Sequence, residues 1–475
     1  PFRGVLLSAM CAPDIRGTQG SFTLYTTEDN AGESLTGGSV VPVNIKDGRF
    51  STFLEGPPGT DGGSLTIPVS VRLQDNGEEA EIRVSGKRIH VATGIYSNWV
   101  NVSFRTGIRR IRGICRFLLI STEPDLRLYV TPVNIDPEHP AMPVSHPGYY
   151  SVYLSKLIGP YATLGLAEDT WAANHNIISR EDFVTQVMDI HREREKMFFS
   201  ALRKTSKGLC CCVFDASDRI QHMAFSEEAE SRPAESDRAI VSVYRKLDKL
   251  VGRTLGSIDK DTVLFVVSDH GFGPFLRGVN LNAWLKENGF LAVNDEKPSG
   301  ELLENVDWSN TRAYSFGLSG IYLNIRGRES MGIADKEGKA ALKAEIKKRL
   351  TQLKDPRTGA GAIKNIYDAD DVYTGPYKDN APDLVIGFNL GYRAAWESAA
   401  GRTDGPVFTD NNREWSGDHC MDRSLVPGVF FCNRKLEAKN GNPNIMDIAP
   451  TILRLFGVET PSYMDGKTLS LELRE

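Results

Sequence analysis

The stretch that most constrains this chain is Val263-Leu-Phe-Val-Val-Ser-Asp-His-Gly-Phe-Gly-Pro274. Its first five residues are apolar at odd and even positions alike. That predicts a strand buried on both faces, as in a parallel sheet covered by helices. The run stops at Ser268, Asp269, His270 and Gly271. In an open α/β sheet, ligands gather beyond the carboxyl ends of the strands. A carboxylate beside an imidazole at that place offers half of a metal site. The same residues also suit a polar strand end with Asp269 capping the next turn, and Asp-His-Gly alone does not decide between the two.

The surrounding chain supplies the layers that such a strand needs. Helical spacing is predicted over 149–157, 180–206, 236–255, 336–353 and 445–456, with Ile240, Val243, Leu247, Leu250 and Val251 forming one apolar face. Further strands are predicted at 4–10, 208–214, 320–325, 383–388 and 428–432. Strands alternating with helices indicate an α/β fold, a three-layer sandwich with a central, mostly parallel sheet. Between residues 37 and 136 the character changes. Short alternating segments such as Leu65–Leu73, Glu81–Val84, Trp99–Phe104 and Leu126–Val130 are separated by Lys46-Asp-Gly48, Gly56-Pro-Pro-Gly59 and Asp75-Asn-Gly77. Strands and turns at that spacing predict a β-rich inserted domain, sandwich- or barrel-like. Residues 1–36 are then expected to belong to the α/β domain, which resumes after the proline-rich link Pro137–Pro147 and runs over 137–475.

A chain of 475 residues is longer than one core usually supports, so two or three domains are expected. The net charge of −5 gives no reason to expect nucleic acid or an anionic membrane as a partner, and no apolar run approaches the ~20 residues of a membrane span. No signal peptide is evident, although the chain opens at Pro1, which leaves a processed or truncated start open. Seven cysteines include Cys210-Cys211-Cys212 in one predicted strand, where neighbours point to opposite faces and cannot bridge each other. Reduced, core-type thiols favour a cytoplasmic location.

Two other stretches carry metal-ligand residues near predicted strand ends. In Phe214-Asp-Ala-Ser-Asp-Arg-Ile-Gln-His222, Asp218 and His222 stand at i and i+4, one above the other if a helix opens there. Taken alone they read equally as an N-cap and a surface histidine. Trp415-Ser-Gly-Asp-His419 is a polar, glycine-containing loop ahead of the 428–432 strand. Only eight histidines occur in the chain, and three of them sit beside predicted strands. Aspartates combined with histidines suit zinc, with manganese the alternative, and the nitrogen ligands argue against calcium or magnesium. Two such ions about 4 Å apart would hold a phosphoryl oxygen between attacking and leaving groups. Asp215 and Asp418 lie beside ligands and are expected to orient imidazoles by hydrogen bonds, with a solvated loop carboxylate as the equal alternative for each.

In that order, Asp215–His222, Ser268–Gly273 and Trp415–His419 resemble the alkaline phosphatase superfamily, in particular its type I phosphodiesterase/nucleotide pyrophosphatase branch. The closing Asp447-Ile-Ala-Pro-Thr-Ile-Leu453, Gly457 and Met464-Asp-Gly-Lys467 are similar to the end of many members. The resemblance covers roughly residues 145–475 and the first thirty. It implies two divalent ions, one held by Asp218, His222 and His419. The other would be held by Asp269, His270, a further aspartate and a Thr or Ser nucleophile, through which a covalent phosphoryl-enzyme would form. Neither that aspartate nor the nucleophile is found in this chain, so an N-terminal portion is expected to precede it, or the member is divergent. Cys11-Ala-Pro-Asp-Ile-Arg16 approaches a sulfatase signature, but its arginine falls at +5 instead of +4. Thr18, Ser217 and Ser416 read as loop or capping hydroxyls. The expected function is metal-dependent hydrolysis of a small phosphate ester or nucleotide, most simply a diester or nucleotide pyrophosphate. The alternatives are a monoesterase or phosphomutase of the same superfamily, or an inactive metal-binding protein if the chain begins at Pro1.

Overall fold

The structure is a computed structural model that describes residues 3–8, 11–28, 34–60, 62–74, 77–225, 235–294, 296–437 and 442–472. Two compact units divide the chain, Pro1–Met223 and Ala224–Glu475. No described helix is long and apolar enough to cross a membrane.

The first unit holds the β-rich region. Arg49–Pro58, Ser64–Leu73, Glu79–Val84 and Lys87–Ala92 form an antiparallel meander. Along Ser64–Leu73 the alternation is strict, with Ile67, Val69 and Val71 buried and Thr66, Pro68, Ser70 and Arg72 exposed. That is the period-two pattern of a sheet with one face in the core. Asp47 and Gly48 both take positive φ, 49° and 67°, in a two-residue turn closed by mutual Lys46–Arg49 backbone hydrogen bonds. Asp-Gly is favoured there because both central residues of such a turn need left-handed backbone. The predicted turn at Asp75-Asn76 lies outside the described residues. A second sheet runs in the order Phe117–Ser121, Arg127–Val130, Phe22–Thr26, Gly38–Pro42, Ser34–Leu35, and a third joins Asn134–Ile135, Arg109–Cys115 and Val100–Thr106. One apolar core takes residues from all three, among them Val69, Ile82, Phe104, Cys115 and Leu128. Phe22–Thr26, from the stretch expected with the α/β domain, thus pairs inside the β-rich part.

Helices follow at Tyr149–Ile158, Thr170–Asn174, Arg180–Lys204 and Ala216–Ala224. The long one starts where expected because Ser179 and Asp182 form a capping box, each side chain accepting the other's backbone N–H. Its first turn carries Glu181 and Asp182 and its last Arg203 and Lys204, as the helix dipole favours. Two predicted strands differ from expectation. The 4–10 run is reduced to Leu6–Leu7, paired with Ser145–His146, and Ala9 and Met10 lie outside the described residues. The cysteine run 208–214 carries no strand; Leu209 and Val213 are exposed. An apolar run becomes a strand only when a neighbouring backbone supplies the ladder.

In the second unit, Ala313–Phe316, Gly320–Leu323, Leu384–Phe388 and Ile363–Asp368 form an antiparallel sheet in that order. Helices Leu281–Glu287 and Lys339–Leu350 contribute Leu281, Trp284, Leu285, Ile346 and Leu350 to the core that also takes Ile321, Leu323, Leu384 and Phe388. Gly273–Val279 pairs with Gly391–Ala394 in parallel and with Phe408–Asp410 and Gly417–Asp418 antiparallel. Phe265–Val267, expected at the centre of a parallel sheet, forms a three-residue ladder antiparallel to Phe430–Cys432. Among the described ladders only two are parallel, Phe22–Thr26 with Gly38–Pro42 and Gly273–Val279 with Gly391–Ala394. The expectation of a mostly parallel central sheet is therefore corrected to a mixed α/β chain with mainly antiparallel ladders. A run of apolar residues signals burial; strand direction depends on which backbone lies alongside.

Candidate metal centre

Asp218 and His222 lie on the helix Ala216–Ala224, where Asp218 is the third residue rather than the N-cap. The i, i+4 spacing puts Asp218 Oδ1 3.6 Å from His222 Nε2. His222 is buried. Asp215, just ahead of the helix, pairs with Arg194, which also approaches the buried Glu168 at 4.0 Å. Asp215 thus ties the start of this helix to the long Arg180–Lys204 helix.

In the second unit, Asp269 and His270 follow the short strand Phe265–Val267 after one intervening residue, Ser268. Their backbone is locked against 426–429. Ser268 N–H donates to Val429 O at 3.0 Å, Gly271 N–H to Val426 O at 2.8 Å, and Val429 N–H to Ser268 Oγ at 2.8 Å. Glycine at 271 permits this approach, since a Cβ there would stand 2.7 Å from the Pro427 carbonyl oxygen. Asp269 Oδ2 lies 3.5 Å from His270 Nε2 and its side chain is 76% exposed. His270 Nδ1 lies 3.1 Å from Gly271 O. A carbonyl only accepts, so Nδ1 carries the proton and Nε2 keeps the lone pair in the neutral ring.

His419 arrives through strand pairing. Gly273 opposes Asp418 and Pro274 opposes Gly417 in an antiparallel ladder, and this sets the third motif beside the second. The His419 ring stacks on His270 with centroids 3.6 Å apart and planes 13° apart, and Phe272 meets His419 edge-on at 5.3 Å. Asp418 is buried, and its two oxygens accept four hydrogen bonds. The N–H groups of His419 and Cys420 reach Oδ1 at 2.8 Å each; Trp415 Nε1 and Arg393 reach Oδ2 at 2.8 and 2.5 Å. Those contacts fill the acceptor positions of a carboxylate, so Asp418 braces the loop although it lies within 4.8 Å of ligand atoms of His419 and Cys420.

The donor chemistry fits a divalent ion. The two carboxylate–imidazole separations, 3.6 and 3.5 Å, are longer than a hydrogen bond. They match the edge of a tetrahedron with bonds of roughly 2.1 Å, which is about 3.4 Å. Oxygen and nitrogen donors in this mixture suit zinc or manganese. Within the second unit the structure brings Asp269 to His270 and His270 to His419; within the first it brings Asp218 and His222 together. Arg393 and Asp422 were not expected from the sequence, and Trp415 was expected only as the first residue of the third motif, without a role of its own. Arg393 carried a signal, a lone charge in the apolar Gly391-Tyr-Arg-Ala-Ala-Trp396 segment.

Each unit of this mixed α/β chain thus carries one carboxylate–imidazole pair with the donor chemistry of a candidate metal site. The family model for type I phosphodiesterase / nucleotide pyrophosphatase matches residues 139–419, more than half of the chain and a span that contains all five candidate ligands. The chain belongs to this family, one of hydrolases that act on phosphoric esters. A search of curated proteins found no match.

Proposed function

We propose that this protein hydrolyses phosphodiesters or nucleotide pyrophosphates with two divalent ions, zinc or manganese. Asp218, His222 and His419 would hold one ion; Asp269 and His270 would contribute to the other. The observation that carries the reading is the ladder Gly273↔Asp418, which seats His419 on His270 inside the span matched by the family. When bound, such ions polarise a phosphoryl oxygen and lower the pKa of an attacking hydroxyl. This chain's residues prepare for that by orientation. The Gly271 carbonyl holds the His270 tautomer with Nε2 available, and the helix Ala216–Ala224 presents Asp218 and His222 on one face. No serine or threonine in the sequence is assigned as nucleophile. The β-rich region is read as accessory, with the chemistry in 137–475. A cytoplasmic location belongs to the same proposal, on the ground that exposed Cys11 and Cys211 are free thiols.

The test uses the full-length natural protein, stripped with chelator and reloaded with zinc or manganese. Chromogenic phosphate diester, monoester and a nucleotide pyrophosphate are compared, and metal content is measured. Expected are diester hydrolysis restored by metal and a loss of about 100-fold or more in His419→Ala, as when a ligand of a catalytic metal is removed. Undiminished hydrolysis after stripping would overturn the metal reading. Preference for the monoester would move the assignment to a monoesterase or phosphomutase, and metal uptake without hydrolysis to a metal-binding protein.

A further inference from the structure

Arg393 is 2% exposed and Asp418 1%, and the two form a buried ion pair at 2.5 Å. The guanidinium lies over the Trp396 ring at 4.0 Å and the Phe275 ring at 4.9 Å, while its Nε donates to Ala394 O at 3.1 Å. Its Nη2 is buried with no hydrogen-bond partner among the described residues. A buried pair with an unsatisfied donor is a poor device for stability, because desolvation offsets most of the attraction and an apolar pair of similar volume often does as well. What the pair does achieve is directional. Arg393 and Trp415 hold Asp418 Oδ2, so that Oδ1 can grip the backbone N–H groups of His419 and Cys420. The His419 backbone is thereby fixed from a rigid aromatic clamp, and its ring is laid on His270.

We propose that Arg393, acting through Asp418 and assisted by Trp415, is a positioning residue that sets the orientation of the His419 imidazole for metal binding. The inference rests on the reading of His419 as a ligand, and its test separates the two. Arg393→Met, Arg393→Lys and Trp415→Phe are made in the full chain. In metal-free protein, the ring resonances of the histidines are followed by NMR; Arg393→Met is expected to shift His419 and His270, whose rings stack, and to leave His90, on the strand Lys87–Ala92 of the first unit, unmoved. In the second arm, cobalt(II) is titrated as a spectroscopic probe. Arg393→Met is expected to weaken binding by about 10- to 100-fold, the range for loss of a group that supports a ligand. Lysine should restore only part, since it supplies the charge without the planar fork that stacks on Trp396. Unchanged ring shifts together with affinity within about threefold of wild type would overturn the proposal. If wild type binds no cobalt(II), the metal reading falls and the ring shifts alone decide the positioning role. Should Arg393→Met fail to fold, Trp415→Phe decides, because it removes one donor from Asp418 without stranding a charge. There the same two histidines should shift, and their failure to do so refutes the clamp.

Discussion

Asp422, three residues beyond His419, fastens the loop that carries His419 to the antiparallel sheet of the second unit. Its Oδ1 accepts from Ser424 Oγ and the Ser424 N–H, and its Oδ2 accepts from Asn365 Nδ2 and Tyr367 OH at 2.8 Å each. Burial works against ionisation, but the hydrogen bonds from Ser424, Asn365 and Tyr367 outweigh it and hold the carboxyl at about 2 against an ordinary 3.8. A folded pKa below the unfolded one means that the ionised form stabilises the fold above pH ~4, and that this contribution is lost as pH falls towards ~2. The shift corresponds to about 2 kcal/mol at pH 7, and roughly half of it should remain at pH 3. Asp422→Asn removes the charge and turns one end of the side chain into a donor facing other donors. Urea unfolding of both proteins at pH 7 should therefore show the variant's midpoint lowered by roughly 1 M, for a slope of 2–3 kcal/mol per M. The gap should narrow at pH 3. A gap that stays constant between pH 7 and 3 would refute the argument, as would one below about 0.5 kcal/mol at pH 7.

Two further outcomes are expected. Gly271→Ala should destabilise the second unit by about 1–3 kcal/mol, because its Cβ would press on the Pro427 carbonyl oxygen and neither backbone can yield freely; thermal melts against wild type measure it. Asp169 caps the helix Thr170–Asn174 and accepts from Tyr129 OH at 2.6 Å, yet burial pushes its carboxyl up to about 6 despite those hydrogen bonds. Ionising it costs stability between pH ~4 and ~6, so Asp169→Asn, which keeps an acceptor for Ala172 N–H, should match or exceed wild type at pH 7 and flatten stability across that window in pH-dependent melts.

Much of the local structure follows from short-range rules. The capping box at Ser179–Asp182, the Asp47-Gly48 turn, the alternation in Ser64–Leu73 and the i, i+4 pair Asp218–His222 each depend on residues within a few positions of one another. Such patterns are legible because backbone geometry links them directly to side-chain direction. The order of the three histidine motifs likewise pointed to the family that the match over 139–419 confirms. Tertiary structure decided what no local pattern encodes. Phe265–Val267 reads as a buried central strand, but its partner, Phe430–Cys432, runs antiparallel and leaves Val267 and Phe431 exposed. The cysteine run has the composition of a strand and lacks a ladder. His419 reaches His270 only because Gly417–Asp418 pairs with Gly273–Pro274, and it is oriented by Arg393, a residue whose charge has meaning only once Trp396, Phe275 and Asp418 surround it. The sequence alone determined which donors were available, since side-chain chemistry is local. Their neighbours were set by long-range pairing, where a strand's direction and register depend on backbone hydrogen bonds made to segments far away in the chain.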